Sequence, residues 1–116
     1  MLTARGALGA EVVSGKIYAI GGAGVAGDVG TVEEYDPATD AWRPRASMPS
    51  PRDHIAIAVV GDKIYIIGGR LGSFARNLGD NEEYDPRTDR WVKKAPLPTP
   101  RSGIAAAVAD GKIYVF

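Results

Sequence analysis

Short apolar runs that alternate with turn signals organise the whole 116-residue chain. Residues 55–60 and 104–109 are continuously apolar and rich in Ala, Val and Ile, as expected for a strand buried on both faces. Residues 63–67, KIYII, form the next apolar run, and the intervening Gly61-Asp62 is a strong signal for a two-residue hairpin turn. We therefore predict two antiparallel strands here, A and B.

Two more strands are predicted after each double glycine. Residues 32–35 mix acidic and apolar side chains and predict strand C, while strand D carries Trp42. Between them Asp36 and Pro37 predict a turn, because the Asp side chain can accept from the backbone ahead of it and Pro presets the backbone angle. Strand D is expected to end in the proline-bearing run 44–51, which cannot continue a hydrogen-bonded ladder.

This order of elements repeats along the chain. Three segments align without gaps: RGALGAEVVSGKIYAIGG from Arg5, RDHIAIAVVGDKIYIIGG from Arg52 and RSGIAAAVADGKIYVF from Arg101. We therefore predict a first unit over residues 1–51, a second over 52–100, and the first two strands of a third over 101–116.

Four antiparallel strands in a unit of about 50 residues are typical of a β-propeller blade. A double glycine after strand B, followed by a Tyr and a Trp seven residues apart, resembles the kelch repeat, whereas the Gly-His and Trp-Asp pairs of WD-type propellers are missing. The resemblance implies an all-β chain of kelch-type blades, each a four-stranded antiparallel sheet, in an incomplete propeller whose remaining blades belong to a longer chain. The motif residues are Gly21, Gly22, Tyr35 and Trp42 in the first unit and Gly68, Gly69, Tyr84 and Trp91 in the second.

These motif residues are expected to be structural. The paired glycines serve the backbone, either through positive φ or by making room for an aromatic ring such as that of Tyr35 or Trp42. The tryptophans recur in both units, which favours packing over ligand stacking. The adjacent Glu33 and Glu34 do not form a catalytic pair, since neighbouring strand residues point to opposite faces.

One stretch, Gly22 to Gly27, matches the G-x-G-x-x-G fingerprint of dinucleotide sites. Such a site needs a helix after the glycines, whose N-terminus holds the pyrophosphate. The residues after Gly27 are too short and interrupted for a helix, and the second unit keeps only its double glycine. We predict no cofactor here.

Composition narrows the function further. Fourteen basic and fourteen acidic side chains balance, so there is no electrostatic reason to expect nucleic acid as a partner. No cysteine is present and His54 is the one histidine, so neither a metal site nor a catalytic residue is predicted. No apolar run approaches the roughly 20 residues of a membrane span, and the cellular location stays open.

Alternating strand direction places the A–B and C–D turns on one face of the propeller, the short-turn face, and the B–C and D–A connections on the other, the loop face. Loops that vary on a rigid scaffold usually carry binding, and the resemblance implies a partner on the loop face. Arginines grouped there would suit a carboxylate or an acidic peptide, although the recurrence of Arg5, Arg52 and Arg101 also favours a structural role. The candidate ligand-binding residues are Arg52, Asp53, His54, Arg70, Phe74, Arg76, Asn77 and Arg101.

Two classes of function stay open. The first is a non-enzymatic scaffold that binds a protein, a peptide or a glycan. The second, which the resemblance also implies, is a fragment of a propeller enzyme acting on sugars, of the oxidase or the epimerase and mutarotase type. A copper-radical oxidase would need a cysteine, and this chain has none.

Overall fold

A computed structural model describes residues 1–72 and 76–116 of the chain. Within these ranges the regular elements are all β-strands, which confirms the predicted all-β class. We call the first four-stranded sheet blade 1, the second blade 2, and the two strands that follow hairpin 3. Blade 1 consists of β1 (Gly9–Val13), β2 (Lys16–Ile20), β5 (Val32–Asp36) and β6 (Ala41–Arg45), with a small hairpin of β3 (Ala23–Gly24) and β4 (Gly27–Asp28) between β2 and β5. Blade 2 consists of β7 (Ala56–Val60), β8 (Lys63–Ile67), β9 (Asn81–Asp85) and β10 (Arg90–Lys94), and hairpin 3 of β11 (Ala106–Ala109) and β12 (Lys112–Val115).

The predicted A–B turn is present in all three units. Gly61 and Asp62 have φ values of 56° and 63°, so both central residues are left-handed, as in the type I′ turn that matches strand twist. The turn brings Val60 opposite Lys63. Ser14-Gly15 and Asp110-Gly111 repeat the same pair of positive φ angles.

Strand D contains a proline, Pro44, that was expected outside the ladder. Pro44 lies inside β6, opposite Glu33 on β5, and the strand runs on to Arg45. Because β6 is the edge strand of blade 1, the N–H that proline lacks is not needed by a further neighbour. Strand D thus ends within the run 44–51, as expected, but Pro44 itself belongs to the ladder, which was not expected.

Packing between successive sheets forms the core. The first strands lie side by side, with β7 in contact with both β1 and β11. In β7, Ala56 and Ala58 are buried and the alternate residues partly buried. Val108 on β11 is 44% exposed, because among the described residues no further sheet packs on hairpin 3. The two-sided burial predicted for strand A thus holds in part for β7 and not for β11. The core comprises Val13, Tyr18, Ile20, Val32, Met48, Ile55, Ile64, Ile66 and Tyr84.

Each double glycine lies against the backbone at the start of its own unit and of the next unit. Gly68 and Gly69 have φ values of 63° and 103°, which confirms the predicted positive φ. A Cβ on Gly69 would lie 2.7 Å from the Asp53 carbonyl oxygen, and one on Gly68 2.7 Å from that of Arg101. The close neighbours are these carbonyl oxygens and the side chains of Ile55 and Ile104. The alternative that the glycines make room for an aromatic ring was therefore wrong. The Tyr35 and Trp42 rings pack on each other instead, 5.0 Å apart.

Candidate functional site

Two of the three repeated arginines, Arg5 and Arg52, belong to the scaffold. Arg52 is fully buried, and its guanidinium donates to the carbonyl oxygens of Gly68 and Ile66 at 2.7 and 2.9 Å. It also pairs with Glu82 at 2.9 Å. These bonds leave the Arg52 side chain no exposed donor, so we remove it from the candidate ligand contacts. Arg5 makes the equivalent bonds to Gly21, Ala19 and Glu33.

Sequence reasoning missed the carboxylate partner of these arginines. Glu33 and Glu82 are each 1% exposed, and they occupy the same position in strand C of the two blades. Burial alone would raise the pKa of Glu33, but hydrogen bonds from Arg5 and Thr3 hold that pKa below its ordinary value. The signal in the sequence was that both the arginine and the first glutamate recur in each full unit.

Three of the predicted residues form one polar cluster, which we call the loop-face cluster: Asp53, His54 and Arg70. Arg70 Nε donates to Asp53 Oδ1 at 3.0 Å, and His54 Nδ1 lies 3.1 Å from the same oxygen. Arg70 Nη2 is 3.5 Å from His54 Nε2. Asp53 is 7% exposed and the His54 side chain 40% exposed, so the imidazole is the open edge of the cluster.

A short backbone bridge positions this cluster. Asp53 N donates to Arg70 O at 3.1 Å, and Arg70 N donates back to Asp53 O at 3.0 Å. Blade 1 makes the same bridge between Gly6 and Ala23, at 3.0 and 2.8 Å. The backbone geometry therefore repeats while the side chains change, so the bridge itself requires neither the carboxylate nor the guanidinium.

The histidine sits at a special backbone position. His54 has φ 49°, and its repeat equivalents Ala7 and Gly103 have φ 53° and 62°. His54 N donates to Ala7 O at 3.0 Å, and Gly103 N donates to His54 O at 2.9 Å. This chain of bonds joins the three units where strand A begins, and it fixes the His54 backbone while its side chain stays accessible.

The remaining candidates surround the loop-face cluster unevenly. Asn77 bridges to Arg70 and accepts a hydrogen bond from Ser102 Oγ at 2.8 Å, which links it to the third unit. Arg76 is exposed, and its carbonyl accepts from Leu71 N at 3.2 Å. Arg101 is also exposed in this chain. Phe74 lies outside the described residues.

The segment that matched the nucleotide fingerprint forms the β3–β4 hairpin. No helix follows it in the described ranges, in agreement with the prediction. Val25, at the hairpin tip, is fully exposed. Asp28 Oδ2 accepts from Gly72 N at 2.6 Å, so the B–C connections of blades 1 and 2 join. The loop face thus combines the polar cluster with an exposed apolar tip.

Within residues 1–72 and 76–116, no group of three or more His, Cys, Asp or Glu side chains is placed to hold a metal ion. No helix in these ranges has the length and apolarity that crossing a membrane requires.

Comparison with known proteins agrees with this architecture. The family model described as the KLHDC2/KLHL20/DRC7 Kelch-repeats domain matches residues 2–116. Over 77 residues the chain is 40% identical to the Kelch-like ECH-associated protein 1B of Danio rerio, a match that covers 63% of this chain and 13% of that protein. Over 72 residues it is 40% identical to the influenza virus NS1A-binding protein homolog of Mus musculus, covering 62% of this chain and 11% of that protein.

Among solved structures, that of YjhT is similar to this chain with a TM-score of 0.80 and 27% identity. The match covers 96% of this chain and 33% of that one. The chain thus spans about a third of the solved neighbour, and its matches span 13% and 11% of the two curated relatives.

Proposed function

Because the chain belongs to the kelch-repeat family, we propose that it is part of a non-enzymatic binding module that recognises a protein partner through its loop face. Two relatives carry names that describe association with another protein, one as ECH-associated and one as NS1A-binding. Those names support protein recognition as the class of function for this chain. The described residues offer no observation specific to sugar chemistry.

One observation carries the proposal: the backbone geometry of the loop-face cluster repeats in blade 1, whereas its polar side chains do not. Asp53, His54 and Arg70 occupy the positions where blade 1 has Gly6, Ala7 and Ala23. Blade 1 forms the same bridge and the same left-handed turn with small residues, so the fold does not need the polar side chains of blade 2. Polar groups that a rigid scaffold does not require, placed on its variable loops, are typical of a recognition surface.

The chemistry of the loop face fits a polypeptide segment. Arg76 and Asn77 are exposed and His54 is partly exposed, so all three offer hydrogen-bonding groups. A guanidinium binds carboxylates with two parallel hydrogen bonds. Arg70 Nε lies 3.0 Å from Asp53 Oδ1, and this ion pair holds the Arg70 side chain in one position. Val25 adds an exposed apolar side chain at the tip of the β3–β4 hairpin on the same face. We propose a partner segment that bears an acidic side chain next to an apolar one.

The test compares two triple variants of the full-length protein. His54→Ala, Arg76→Ala and Asn77→Ala together remove exposed groups from the loop face. Thr39→Ala, Thr88→Ala and Arg90→Ala serve as the control, since these exposed residues lie outside that face. After affinity purification and quantitative mass spectrometry, we expect a partner to be lost from the loop-face variant and retained by the control. Equal recovery of every partner from both variants would contradict the proposal.

A further inference from the structure

A second surface lies on the short-turn face, opposite the loop-face cluster. A cleft of about 180 Å³ opens between blades 1 and 2, with the buried side chains of Val13 and Tyr18 in its lining. Pro86, from the C–D turn of blade 2, completes the apolar part. Four cationic side chains and two anionic ones line the rest: Lys16, Arg43, Arg45 and Arg87, with Glu34 and Asp62.

A buried carboxylate orients two of these cations. Glu34, 2% exposed, accepts from Arg43 Nε at 2.7 Å and from Arg45 Nη1 at 2.6 Å. Burial alone would raise the pKa of Glu34, but hydrogen bonds from Arg43 and Tyr18 keep that pKa below its ordinary value. Burial, together with the bond to Glu34, raises the pKa of Tyr18 to about 12, so the hydroxyl remains a donor. The Arg43 side chain is 60% exposed, which leaves part of its five-donor fork turned to solvent.

Two of the four cations do not repeat. Lys16, Tyr18 and Glu34 recur in blade 2 as Lys63, Tyr65 and Glu83, and Arg45 recurs as Lys94, whereas Arg43 is replaced by Val92. Arg87 stands where blade 1 has Ala38. In the part of the chain that the structure describes, no hydrogen bond or ion pair holds the Arg87 side chain. Blade 1 therefore forms its C–D turn with Ala38 in place of Arg87. Blade 2 forms its strand D with Val92 in place of Arg43.

These arginines come from different blades and meet at one cleft. Arg43 lies on β6 of blade 1, and Arg87 lies in the turn between β9 and β10 of blade 2. Asp36 and Asp89 pair with Lys16 and Arg45, at 3.8 and 3.3 Å, and do not line the cleft. Arg43 in turn pairs with Glu34, so Arg87 is the lining cation and Asp62 the lining carboxylate without an ion pair among the described residues.

From this convergence we infer that the cleft is an oxyanion site, which binds a phosphate or carboxylate group between the guanidiniums of Arg43 and Arg87. The planar fork of arginine matches both groups with paired hydrogen bonds. The apolar lining from Val13 and Pro86 accommodates the carbon portion of an organic anion. This site is separate from the loop face, so it adds a second ligand to the proposed protein partner.

The experiment titrates inorganic phosphate, and separately succinate, into the protein at constant ionic strength with sodium chloride as the control salt. Two-dimensional NMR follows the backbone amides. We expect saturable shifts of the amides of Ser14, Lys16 and Arg87, with those of Asp53 and His54 unchanged. Tighter binding of phosphate than of succinate assigns the site to phosphorylated ligands, and the reverse order assigns it to carboxylates.

A matched pair of variants decides whether the cleft is responsible. Arg87 is exposed and makes no side-chain bond among the described residues, so Arg87→Gln is expected to fold normally. It should weaken anion binding about fivefold or more, since a charge-assisted hydrogen bond is lost. Arg90→Gln removes the same charge from β10, outside the cleft, and should leave the affinity unchanged. Shifts that fail to saturate with both anions, or equal affinities in wild type and Arg87→Gln, would overturn the inference.

Discussion

The buried pair of Arg52 and Glu82 ties three segments of blade 2 together. Arg52 lies in the segment before strand A, the carbonyl groups that it binds lie at the end of strand B, and Glu82 lies on strand C. Ser50 accepts a further bond from Nη1 at 2.9 Å. Two charges removed from water stabilise a fold only when each remains paired, so the two residues depend on each other.

We therefore expect Arg52→Met to lower the free energy of unfolding by about 3–5 kcal/mol, because Glu82 would be left buried without its cation. Urea denaturation followed by circular dichroism measures the change. Arg90→Met, at an exposed position of β10, is the control and should cost less than about 0.5 kcal/mol. Similar costs for the two variants would show that Arg52 is not a structural residue.

The sequence predicted the face on which some of these residues lie, but not the role of Arg52. Strand direction brought Asp53, His54 and Arg70 to one face, because they lie where strand A begins and strand B ends. It left the role of Arg52 open between ligand and scaffold, since the partner Glu82 is 30 residues away. A contact at that separation depends on how strand C pairs with strand B, which local patterns do not specify.

Among the strands, local chemistry predicted most of what the structure shows. The two-residue turns and the four strands of each blade follow from glycine, aspartate and apolar runs. Pro44 was not expected inside a strand, because proline has no N–H to donate to a neighbouring strand. That restriction excludes proline from strands with neighbours on both sides, whereas β6 has a neighbour on one side only. The unit boundaries at 51/52 and 100/101 stay a prediction.

The outer strands of blades 1 and 2 are joined by one set of bonds. Trp91 Nε1 donates to Ala46 O at 2.9 Å, and Ala46 N donates to Asp89 Oδ1 at 2.9 Å. Tyr84 and Arg45 reach the same carboxylate oxygen, at 2.6 and 3.3 Å. Asp89 is thus the acceptor on which the two blades converge.

Replacing Trp91 should loosen this junction more than replacing its counterpart in blade 1. Both tryptophans pack on a tyrosine ring at 5.0 Å, but Trp91 alone of the two has a hydrogen bond to the other blade among the described residues. In the 116-residue chain we expect Trp91→Phe to cost about 1 kcal/mol more than Trp42→Phe. Chemical denaturation of the two variants gives the difference, and equal costs would argue against the Trp91 bond as a link between blades.

Buried and partly buried carboxylates are spread over both blades of the molecule. Burial alone would raise the pKa of Glu33, Glu34, Glu83 and Asp89, yet hydrogen bonds and nearby cations hold each pKa below its ordinary value. Such a group binds its proton more tightly in the unfolded chain, so protonation favours unfolding. The whole scaffold is therefore expected to lose stability in acid.

The free energy of unfolding should fall once the pH drops below about 4.5, the ordinary pKa of glutamate, and continue to fall through the lower folded-state values. In alkali, stability is instead lost as the pH rises. The pKa values of Tyr18 and Tyr65, each raised from 10.0 to about 12, imply stability that is lost between those two values as the tyrosines ionise. Urea midpoints measured across pH test both limbs, and a midpoint that stays constant below pH 4.5 would contradict the acidic one.

Which face of the propeller meets the partner is the central question, and site-directed photo-crosslinking answers it most directly. A photoreactive amino acid at Arg76 samples the loop face, and one at Thr88 samples the short-turn face; both positions are exposed. In the full-length protein we expect a partner crosslinked from position 76 and absent from position 88. A protein partner captured from position 88 and not from position 76 would contradict the account.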